Sequence, residues 1–391
     1  MQKCSVFEKC GGCSKLNISY EEQLKIKENI VFSLFDQYHI KPNNYHGITP
    51  SVYIYEYRNK MEYSFGNEYK DGPLVLGLRG KGKKFDVYYT KDCKLVDDDF
   101  NTIVKQTREF FLNKNIPFRN YKNHSGFLRN LGIRKGLKTG EILLNLVTSL
   151  DNNYYQEVET WKEETLNTNL KGNIVSIIQS KTKSKANVVK ADEMEILYGR
   201  DYFYEKIFDL TFKIGPFSFF QTNTKGAEIL YQTALSYAEN SNVVYDFYSG
   251  TGTISLLLAN KAKKVYGIEI IKEAVEAAKQ NAILNNINNV EFVNEDVKDF
   301  VKQQSGTEKP DYIVVDPPRA GLHPNLIKFI KTQQFNKIIY ISCNPKTLIP
   351  NLKELSDLYT ISDFHLVDMF PHTDHVETVV LMSRVKVNTM F

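Results

Sequence analysis

Short apolar segments alternate with helical patterns through the C-terminal half of the chain, and this alternation is the feature that most constrains the fold. The apolar segments have the length of buried strands and lie at 243–247, 264–268, 290–293, 312–315, 337–341 and 378–382. Buried strands that alternate with helices are typical of a doubly wound parallel sheet, in which ligands bind at the carboxyl ends of the strands. We therefore predict a doubly wound, Rossmann-like α/β domain in this half of the chain.

The N-terminal half follows a different pattern. A cysteine-rich segment comes first, and the apolar spacing then predicts an amphipathic helix from residue 20 to about residue 39. Alternating aromatic and polar residues at 51–96 predict strands and hairpins, and residues 141–148 predict a further strand. We expect three regions: a cysteine segment with its helix at 1–40, a β-rich or mixed region at 41–204, and the α/β domain at 205–391.

The composition limits the class of protein. Of the 391 residues, 42% are apolar and 25% are charged, which is ordinary for a globular protein and excludes a disordered or fibrous chain. No apolar run has the length of a transmembrane helix, and the N-terminus lacks the apolar core of a signal peptide. Five unevenly spaced cysteines are too few for a disulfide-stapled secreted scaffold. We expect a cytoplasmic protein with no membrane partner.

The net charge of +4 is divided unevenly, with +7 in residues 1–200 and −3 in residues 201–391. The stretch 112–140 has no acidic residue and seven basic ones: Lys114, Arg119, Lys122, Arg129, Arg134, Lys135 and Lys138. Aromatic residues interleave with them. Cations neutralise phosphates and aromatic rings stack on unpaired bases, so the stretch favours looped or single-stranded RNA, with Arg129 and Arg134 as candidate phosphate contacts. A solvated surface accounts for these charges equally well.

Polar residues follow the first three strands of the predicted sheet. The first strand leads into a turn with Gly250 and Gly252, which permits close approach of a ligand to the backbone. Glu269 ends the second strand, where an acid can bind both ribose hydroxyls, and Asp296 follows the third. A nicotinamide cofactor would also use an acid at this place, but Ser255 stands where a dinucleotide motif has its third glycine. Together these features favour S-adenosylmethionine.

The fourth strand ends in the sequence Asp316-Pro317-Pro318-Arg319. Two prolines fix an extended backbone at the mouth of the sheet and aim the preceding carboxylate. This motif favours a methyltransferase that modifies a base. It also occurs in enzymes that methylate amino groups, so it leaves the target atom open.

The fifth strand ends at a lone thiol, Cys343, and Glu377 stands just before the last strand. A cysteine at such a place is usually inert packing. Carbon 5 of a pyrimidine is a poor nucleophile, so its methylation requires activation. A thiolate that adds to carbon 6 makes carbon 5 reactive, and a base must then remove the carbon 5 proton. Cys343 and Glu377 are candidates for these two roles.

These residues carry a resemblance to the RNA uracil-5-methyltransferase family. The matching segments lie at 219–223, 246–252, 316–319, 342–345 and 375–379. The resemblance implies that Cys343 is the nucleophile and Glu377 the base. It also implies a set of residues that line the S-adenosylmethionine site: Gln221, Tyr248, Thr253, Glu269, Asp296 and Asp316.

The remaining cysteines form a Cys-x5-Cys-x2-Cys motif with one distant partner, and they are Cys4, Cys10, Cys13 and Cys93. Four thiolates can hold either zinc or an iron–sulfur cluster, and the spacing does not decide between them. Ribosomal RNA members of the family carry the same pattern, so the resemblance implies a structural [4Fe–4S] cluster. Such members often begin with a small β-barrel RNA-binding module, which we expect this chain to lack because its cysteines start at residue 4.

We therefore expect an S-adenosylmethionine-dependent methyltransferase that modifies carbon 5 of a uridine in 23S rRNA. We expect a monomer whose partner is RNA and not DNA. The nearest alternative is the same chemistry on the T-loop of tRNA. Two further alternatives are a non-catalytic iron–sulfur RNA-binding protein and an enzyme that methylates an amino group.

Overall fold

A computed structural model describes residues 4–83, 85–120, 123–150, 153–184, 191–303 and 309–385. In these ranges the helices are α1 (Tyr20–Gln37), α2 (Asp98–Asn113), α3 (Tyr155–Leu166), α4 (Thr224–Ser236), α5 (Thr253–Leu258), α6 (Lys272–Leu284), α7 (Val297–Gln303), α8 (Pro324–Gln333) and α9 (Pro345–Leu355). None of these described helices is long and apolar enough to cross a membrane.

The strands in the same ranges are β1 (Asn44–Thr49), β2 (Lys60–Gly66), β3 (Val75–Arg79), β4 (Val87–Tyr88), β5 (Leu128–Lys135), β6 (Glu141–Thr148), β7 (Asn173–Lys181), β8 (Glu193–Gly199), β9 (Phe203–Ile207), β10 (Leu210–Ile214), β11 (Ser241–Phe247), β12 (Ala262–Glu269), β13 (Val290–Asn294), β14 (Tyr312–Val315), β15 (Lys337–Ser342), β16 (Tyr359–Val367) and β17 (Glu377–Arg384). The predicted helix at residue 20 and the predicted strand at 141–148 are both present.

The chain divides into two compact units. The first unit comprises Met1–Asn17 and Tyr53–Thr224, and the second comprises Ile18–Val52 and Lys225–Phe391. This division differs from the three predicted regions, because α1 and β1 belong to the second unit. The physical reason is packing and pairing: Val31 and Phe35 of α1 lie in the second unit's hydrophobic core, and β1 pairs with β16.

The second unit contains a sheet with the strand order β1-β16-β17-β15-β14-β11-β12-β13. The strands β15, β14, β11, β12 and β13 are neighbours in that order, and each runs parallel to the next, as the alternation of strands and helices predicts. The last strand, β17, runs antiparallel to both of its neighbours. The sequence pattern did not identify β16 or β1 as members of this sheet, because β16 mixes apolar and polar residues and β1 comes from a distant part of the chain.

The first unit is rich in strands. One sheet has the order β4-β3-β2-β5-β6-β7-β8, and β9 and β10 form a separate hairpin. Phe111 of α2 and Trp161 of α3 are fully buried and their rings lie 5.9 Å apart. The indole of Trp161 donates a hydrogen bond of 3.1 Å to Thr107, which satisfies its buried N–H group.

Much of the basic stretch 112–140 is engaged inside the first unit, which corrects the expectation drawn from its charge. Arg129 is 7% exposed and donates to the carbonyl of Ser184. Arg134 is 3% exposed and donates to the carbonyls of Pro216 and Ser218, and burial lowers its pKa to about 10. The two arginines therefore brace loops within the unit. Lys122, from the same stretch, lies outside the described residues.

Lys135 and Lys138 also make contacts within the first unit, although Lys138 is exposed. Lys135 forms an ion pair with Asp99 at 2.6 Å, and Lys138 donates to the carbonyl of Phe208 at 3.0 Å. The seven-residue count therefore overstates the positive charge that the stretch offers to a phosphate backbone.

Two glycines after β11 allow a matched test of how tightly this turn is packed. Gly252 has φ of +84°, and a Cβ there would lie 2.7 Å from the Phe292 ring and 3.0 Å from Ala278. Gly250 has φ of +56° but open space around it. We expect Gly252→Ala to lower the free energy of unfolding by about 3 kcal/mol and Gly250→Ala by about 1 kcal/mol, because only the first adds a clash to the backbone strain. Denaturant unfolding followed by circular dichroism measures both, and equal losses would contradict this packing.

Candidate active site

Strand direction brings the predicted catalytic residues to one edge of the second unit's sheet. The carboxyl ends of the parallel strands β11, β14 and β15 meet at this edge, and the antiparallel strand β17 begins there. Ser342 pairs with Thr378, so Cys343, one residue later, lies opposite Glu377, one residue earlier. The Thr378 hydroxyl donates to the Ser342 carbonyl at 3.0 Å and fixes this register.

The loop that carries Asp316 and Arg319 is tied to α9. The Arg319 carbonyl accepts hydrogen bonds from Asn344 Nδ2 at 2.8 Å and from Thr347 Oγ1 at 3.1 Å. Asn351 Oδ1 accepts from the Leu322 amide at 3.0 Å, just after the loop. The prolines at 317 and 318 stiffen the backbone between strand and loop, so the loop is fixed at both ends.

Burial sets the protonation of the groups at this edge. It raises the pKa of the Cys343 thiol to about 11, and the negative charges of Glu377 and Asp316 raise it further. Burial also raises the pKa of Glu377 to about 8, with Asp316 adding to the effect, and that of Asp316 to about 7. The two carboxyl groups and the thiol therefore act on one another in a site of low polarity.

Arg319 is a member of this group that the sequence reasoning did not assign. Its guanidinium donates a hydrogen bond to the Cys343 sulfur and lowers the pKa values of Cys343 and Glu377, opposing the effect of burial. It also lies 3.2 Å from Nδ1 of His375. The available signal was its place at the end of the Asp-Pro-Pro-Arg motif, but its contact with the thiol depends on how the loop folds back.

The residues predicted to hold the cofactor's adenosine lie at or just after the carboxyl ends of β11, β12 and β13, at the same edge. Glu269 accepts hydrogen bonds from the Gly250 amide at 3.0 Å and the Ile271 amide at 2.9 Å, so its carboxylate is oriented by backbone. Asp296 follows β13. Burial raises its pKa, but hydrogen bonds from Lys298 outweigh burial and the net pKa is lowered.

Tyr248 and Thr253 come from the turn after β11. Tyr248 has φ of +65°, and its hydroxyl accepts a hydrogen bond from the His323 amide at 3.3 Å. Thr253 is the first residue of α5 and is buried. Gln221, the remaining predicted cofactor residue, belongs to the first unit, where Asn59 Nδ2 donates to its carbonyl at 2.9 Å.

Asp246 is a second residue that the sequence reasoning left unassigned. It is the last residue but one of β11, its side chain is fully buried, and it accepts a hydrogen bond from Ser255 Oγ at 2.5 Å. Burial raises its pKa to about 7, the Ser255 hydrogen bond lowers it, and the charges of Asp316 and Glu269 raise it again. The ionisation of Asp246, just before the glycine turn, therefore depends on the charges of Asp316 and Glu269 at the ends of neighbouring strands.

The predicted metal ligands all line one cavity of the first unit: Cys4, Cys10, Cys13 and Cys93. Burial raises the pKa of Cys13 to about 12, and the charges of the other three thiols raise it further. Within the described ranges, no three His, Cys, Asp or Glu side chains stand at the spacing of ligands to a metal ion. The four thiols therefore share a cavity without forming the close ligand set of a single ion.

Known proteins that are similar to this chain are RNA methyltransferases. The profile of the tRNA (uracil-5-)-methyltransferase family matches residues 137–385. Two relatives described as uncharacterized RNA methyltransferases, from Clostridium tetani and Clostridium acetobutylicum, are each 44% identical over 98% of this chain and 84% of their own length. The solved structure of Pyrococcus abyssi tRNA (uracil-54, C5)-methyltransferase in complex with S-adenosyl-L-homocysteine matches with a TM-score of 0.77. It is 29% identical, over 95% of this chain and 86% of that one.

The fold and these similarities define an S-adenosylmethionine-dependent RNA methyltransferase. The chain belongs to the RNA uracil-5-methyltransferase family, so it is an enzyme that methylates carbon 5 of uracil in RNA. The expected family is confirmed. Membership disfavours the two alternatives of a non-catalytic RNA-binding protein and an amino-methylating enzyme.

The electrostatics of this edge predict how the reactivity of Cys343 depends on pH. Because its pKa is about 11, alkylation by iodoacetamide should accelerate as pH rises toward that value. Arg319→Gln should raise the thiol pKa and slow alkylation at pH 8 about tenfold, whereas Glu377→Gln should lower the thiol pKa and speed alkylation.

Mass spectrometry of the Cys343 peptide separates this thiol from the other four. Lys346→Gln is the matched control, because Lys346 is an exposed cation three residues away and is not among the groups with the largest effects on the thiol pKa. Slower alkylation in Glu377→Gln, or equal rates in Arg319→Gln and Lys346→Gln, would contradict the assigned charges.

Proposed function

We propose that this protein methylates carbon 5 of a specific uridine in 23S rRNA, with Cys343 as the nucleophile and Glu377 as the base. The observation that carries the two roles is the strand register that sets Cys343 opposite Glu377 beside Asp316 and Arg319. A thiol and a carboxylate that face each other at the mouth of the sheet can act on the two ends of one carbon–carbon double bond.

The chain's residues carry out the two halves of the reaction in turn. Cys343, as a thiolate, forms a bond to carbon 6 of uracil, and the displaced electron pair makes carbon 5 nucleophilic. S-Adenosylmethionine, when bound, supplies a methyl group on a positively charged sulfur. Glu377 then removes the proton from carbon 5, so that the carbon 5–carbon 6 double bond re-forms and the sulfur–carbon bond breaks. The electron pair of that bond returns to Cys343 as thiolate.

Arg319 favours the start of this sequence, because its positive charge and its hydrogen bond to the sulfur stabilise the thiolate. Glu377 is suited to accept a proton, since a carboxylate with a pKa near 8 is a stronger base than an exposed one. Arg319 thus supports the thiolate before attack, against the opposing negative charges of Glu377 and Asp316, and burial makes Glu377 a stronger base after methyl transfer.

The cofactor site would be formed by residues at the strand ends of the second unit: Tyr248, Thr253, Glu269, Asp296 and Asp316. The part that the family resemblance implies for Gln221 stays a prediction. The fit is supported by the open space at Gly250, which leaves room for a ligand beside the backbone, and by the backbone-oriented carboxylate of Glu269. Glu269 would accept hydrogen bonds from both ribose hydroxyls, and Asp296 would accept one from the adenine amino group.

The target uridine must leave its base stack, because carbon 5 is inaccessible to a thiolate and a base while the ring is stacked in a duplex. The Cys-x5-Cys-x2-Cys pattern, through the family resemblance, supports 23S rRNA as the substrate. The T-loop of tRNA is the second candidate, favoured by the tRNA activity named for the Pyrococcus abyssi enzyme. The cytoplasmic location and the monomeric state expected from the sequence stay predictions.

Methyl-labelled S-adenosylmethionine distinguishes the two RNA substrates. We expect unmodified 23S rRNA to accept label at carbon 5 of a uridine and unmodified tRNA to remain unlabelled. Label in tRNA alone would overturn the choice of rRNA and leave the chemistry unchanged.

Two substitutions test the catalytic roles. Cys343→Ala should abolish methylation and leave S-adenosylmethionine binding intact, because it removes only the nucleophile. Glu377→Gln should trap a covalent RNA–protein adduct that survives denaturing electrophoresis, because the carbon 5 proton cannot leave.

Glu273→Gln makes the same change at an exposed acid on α6 and should turn over normally. Turnover by Cys343→Ala, or the absence of an adduct in Glu377→Gln, would refute the mechanism.

We also propose that Cys4, Cys10, Cys13 and Cys93 hold a structural [4Fe–4S] cluster. The shared cavity supports this, and a cubane cluster spaces its four ligands more widely than a single zinc ion does. The cluster would add a cross-link to the existing contacts between the N-terminal segment and the turn that carries Cys93, such as the hydrogen bond from Ser5 Oγ to Asp92.

Metal analysis of anaerobically prepared protein tests the cluster. We expect iron and sulfide in the proportions of a [4Fe–4S] cluster and a broad visible absorption. Cys93→Ser should lose the iron and lower the unfolding midpoint reported by the fluorescence of Trp161, the chain's single tryptophan. Stoichiometric zinc in place of iron would refute the assignment.

A further inference from the structure

The loop of residues 368–376 joins β16 to β17 and ends directly at Glu377, and a lysine of α1 is bonded to its start. Lys27 Nζ lies 2.7 Å from Asp368 Oδ1 and donates to the Phe370 carbonyl at 3.0 Å. The side chains of Lys27 and Asp368 are both completely buried. Because a buried lysine loses its hydration, these bonds hold the loop at a defined distance from α1.

A second side chain of α1 holds the middle of the same loop. Gln23 is completely buried, its Oε1 accepts from the His372 amide at 2.7 Å, and its Nε2 lies 3.1 Å from His372 Nδ1. His372 has φ of +65°, a conformation that non-glycine residues adopt only when their surroundings impose it. The two contacts of Gln23 fix both the backbone and the ring of this strained residue.

A third side chain on the same helical face completes the set. The hydroxyl of Tyr20 donates to Asp368 Oδ2 at 2.9 Å and accepts from the Ser51 amide at 2.7 Å. Residues 20, 23 and 27 are spaced as neighbours along one face of a helix. Three polar side chains of α1 thus meet a loop that is more than 340 residues away in the sequence.

The contacts between α1 and the loop affect the position of Glu377 and not that of Cys343. Glu377 is the residue at which the loop enters β17, whereas Cys343 stands between β15 and α9. Apolar side chains would pack α1 against the loop without the cost of burying a charged pair, so the polar set is suited to fixing one loop conformation.

We propose that Gln23 and Lys27 are positioning residues for proton abstraction, and that they act by holding the loop 368–376 so that Glu377 faces carbon 5 of the covalent adduct. The inference rests on the proposed role of Glu377 as the base. Loss of either residue leaves the formation of the sulfur–carbon 6 bond and the methyl transfer intact. It slows the step in which Glu377 takes the carbon 5 proton and the thiolate leaves, so the adduct accumulates.

The test compares Gln23→Leu and Lys27→Met with Lys25→Met, which changes an exposed lysine on the same helix. Each full-length protein is mixed with S-adenosylmethionine and substrate RNA, and turnover and the fraction of protein in covalent adduct are measured together. We expect Gln23→Leu and Lys27→Met to lose about tenfold or more in turnover, since small displacements of a catalytic group have effects of this size, and to accumulate adduct. Lys25→Met should match the wild type, and binding of S-adenosylmethionine should be unchanged in all three.

Adduct accumulation distinguishes a misplaced Glu377 from a loss of folding, because an unfolded protein forms no adduct. Gln23→Leu removes no charge and carries the test alone if Lys27→Met does not fold. Loss of turnover in Gln23→Leu without adduct, while Glu377→Gln accumulates it, would overturn the positioning role and leave the proposed function standing. Failure of Glu377→Gln itself to accumulate adduct would overturn the proposed function and this inference with it.

Discussion

The active edge of the second unit depends on the antiparallel pairing of β17 with β15. In a parallel sheet every strand presents its carboxyl end at the ligand-binding edge, and an antiparallel strand adds an amino end there. The pairing of Ser342 with Thr378 places a residue that follows one strand opposite a residue that begins another. A slip of one residue would turn the side chains of β17 to the opposite face and separate Cys343 from Glu377.

Burial raises the pKa values of Cys343 and Glu377, and it therefore determines both their reactivity and their need for a nearby positive charge. Removal from water raises the pKa values of the Cys343 thiol and of both carboxyl groups, so each of these groups holds its proton more tightly than in solution. A positive charge nearby favours the ionised forms, as Arg319 already does. A reactive thiol and a strong base can therefore work together in this site only if the charged groups around them keep fixed positions. The loops on both sides of the pair hold these groups in place.

The sequence located most of the site but could not assign every member. Strand ends are visible in the sequence because buried strands are apolar and the polar residues after them stand out, so Cys343 and Glu377 were accessible to prediction. Arg319 lies in a recognised motif, but its contact with the sulfur follows from the fold of its loop. The membership of α1 in the second unit depends on contacts across more than 300 residues, which no local pattern reports. Charge counting failed at Arg134 for a related reason, because a count does not distinguish a buried cation from an exposed one.

The central claim is that Cys343 attaches to carbon 6 and that the carbon 5 proton must leave before the thiol can. Substrate RNA with 5-fluorouridine at the target position tests it directly, because fluorine cannot leave as the proton does. With S-adenosylmethionine present, the wild-type protein should become trapped on this RNA. Mass spectrometry of the digested complex should then find the methylated fluorouridine on the Cys343 peptide. A linkage to any other residue, or full release of the RNA, would contradict the account.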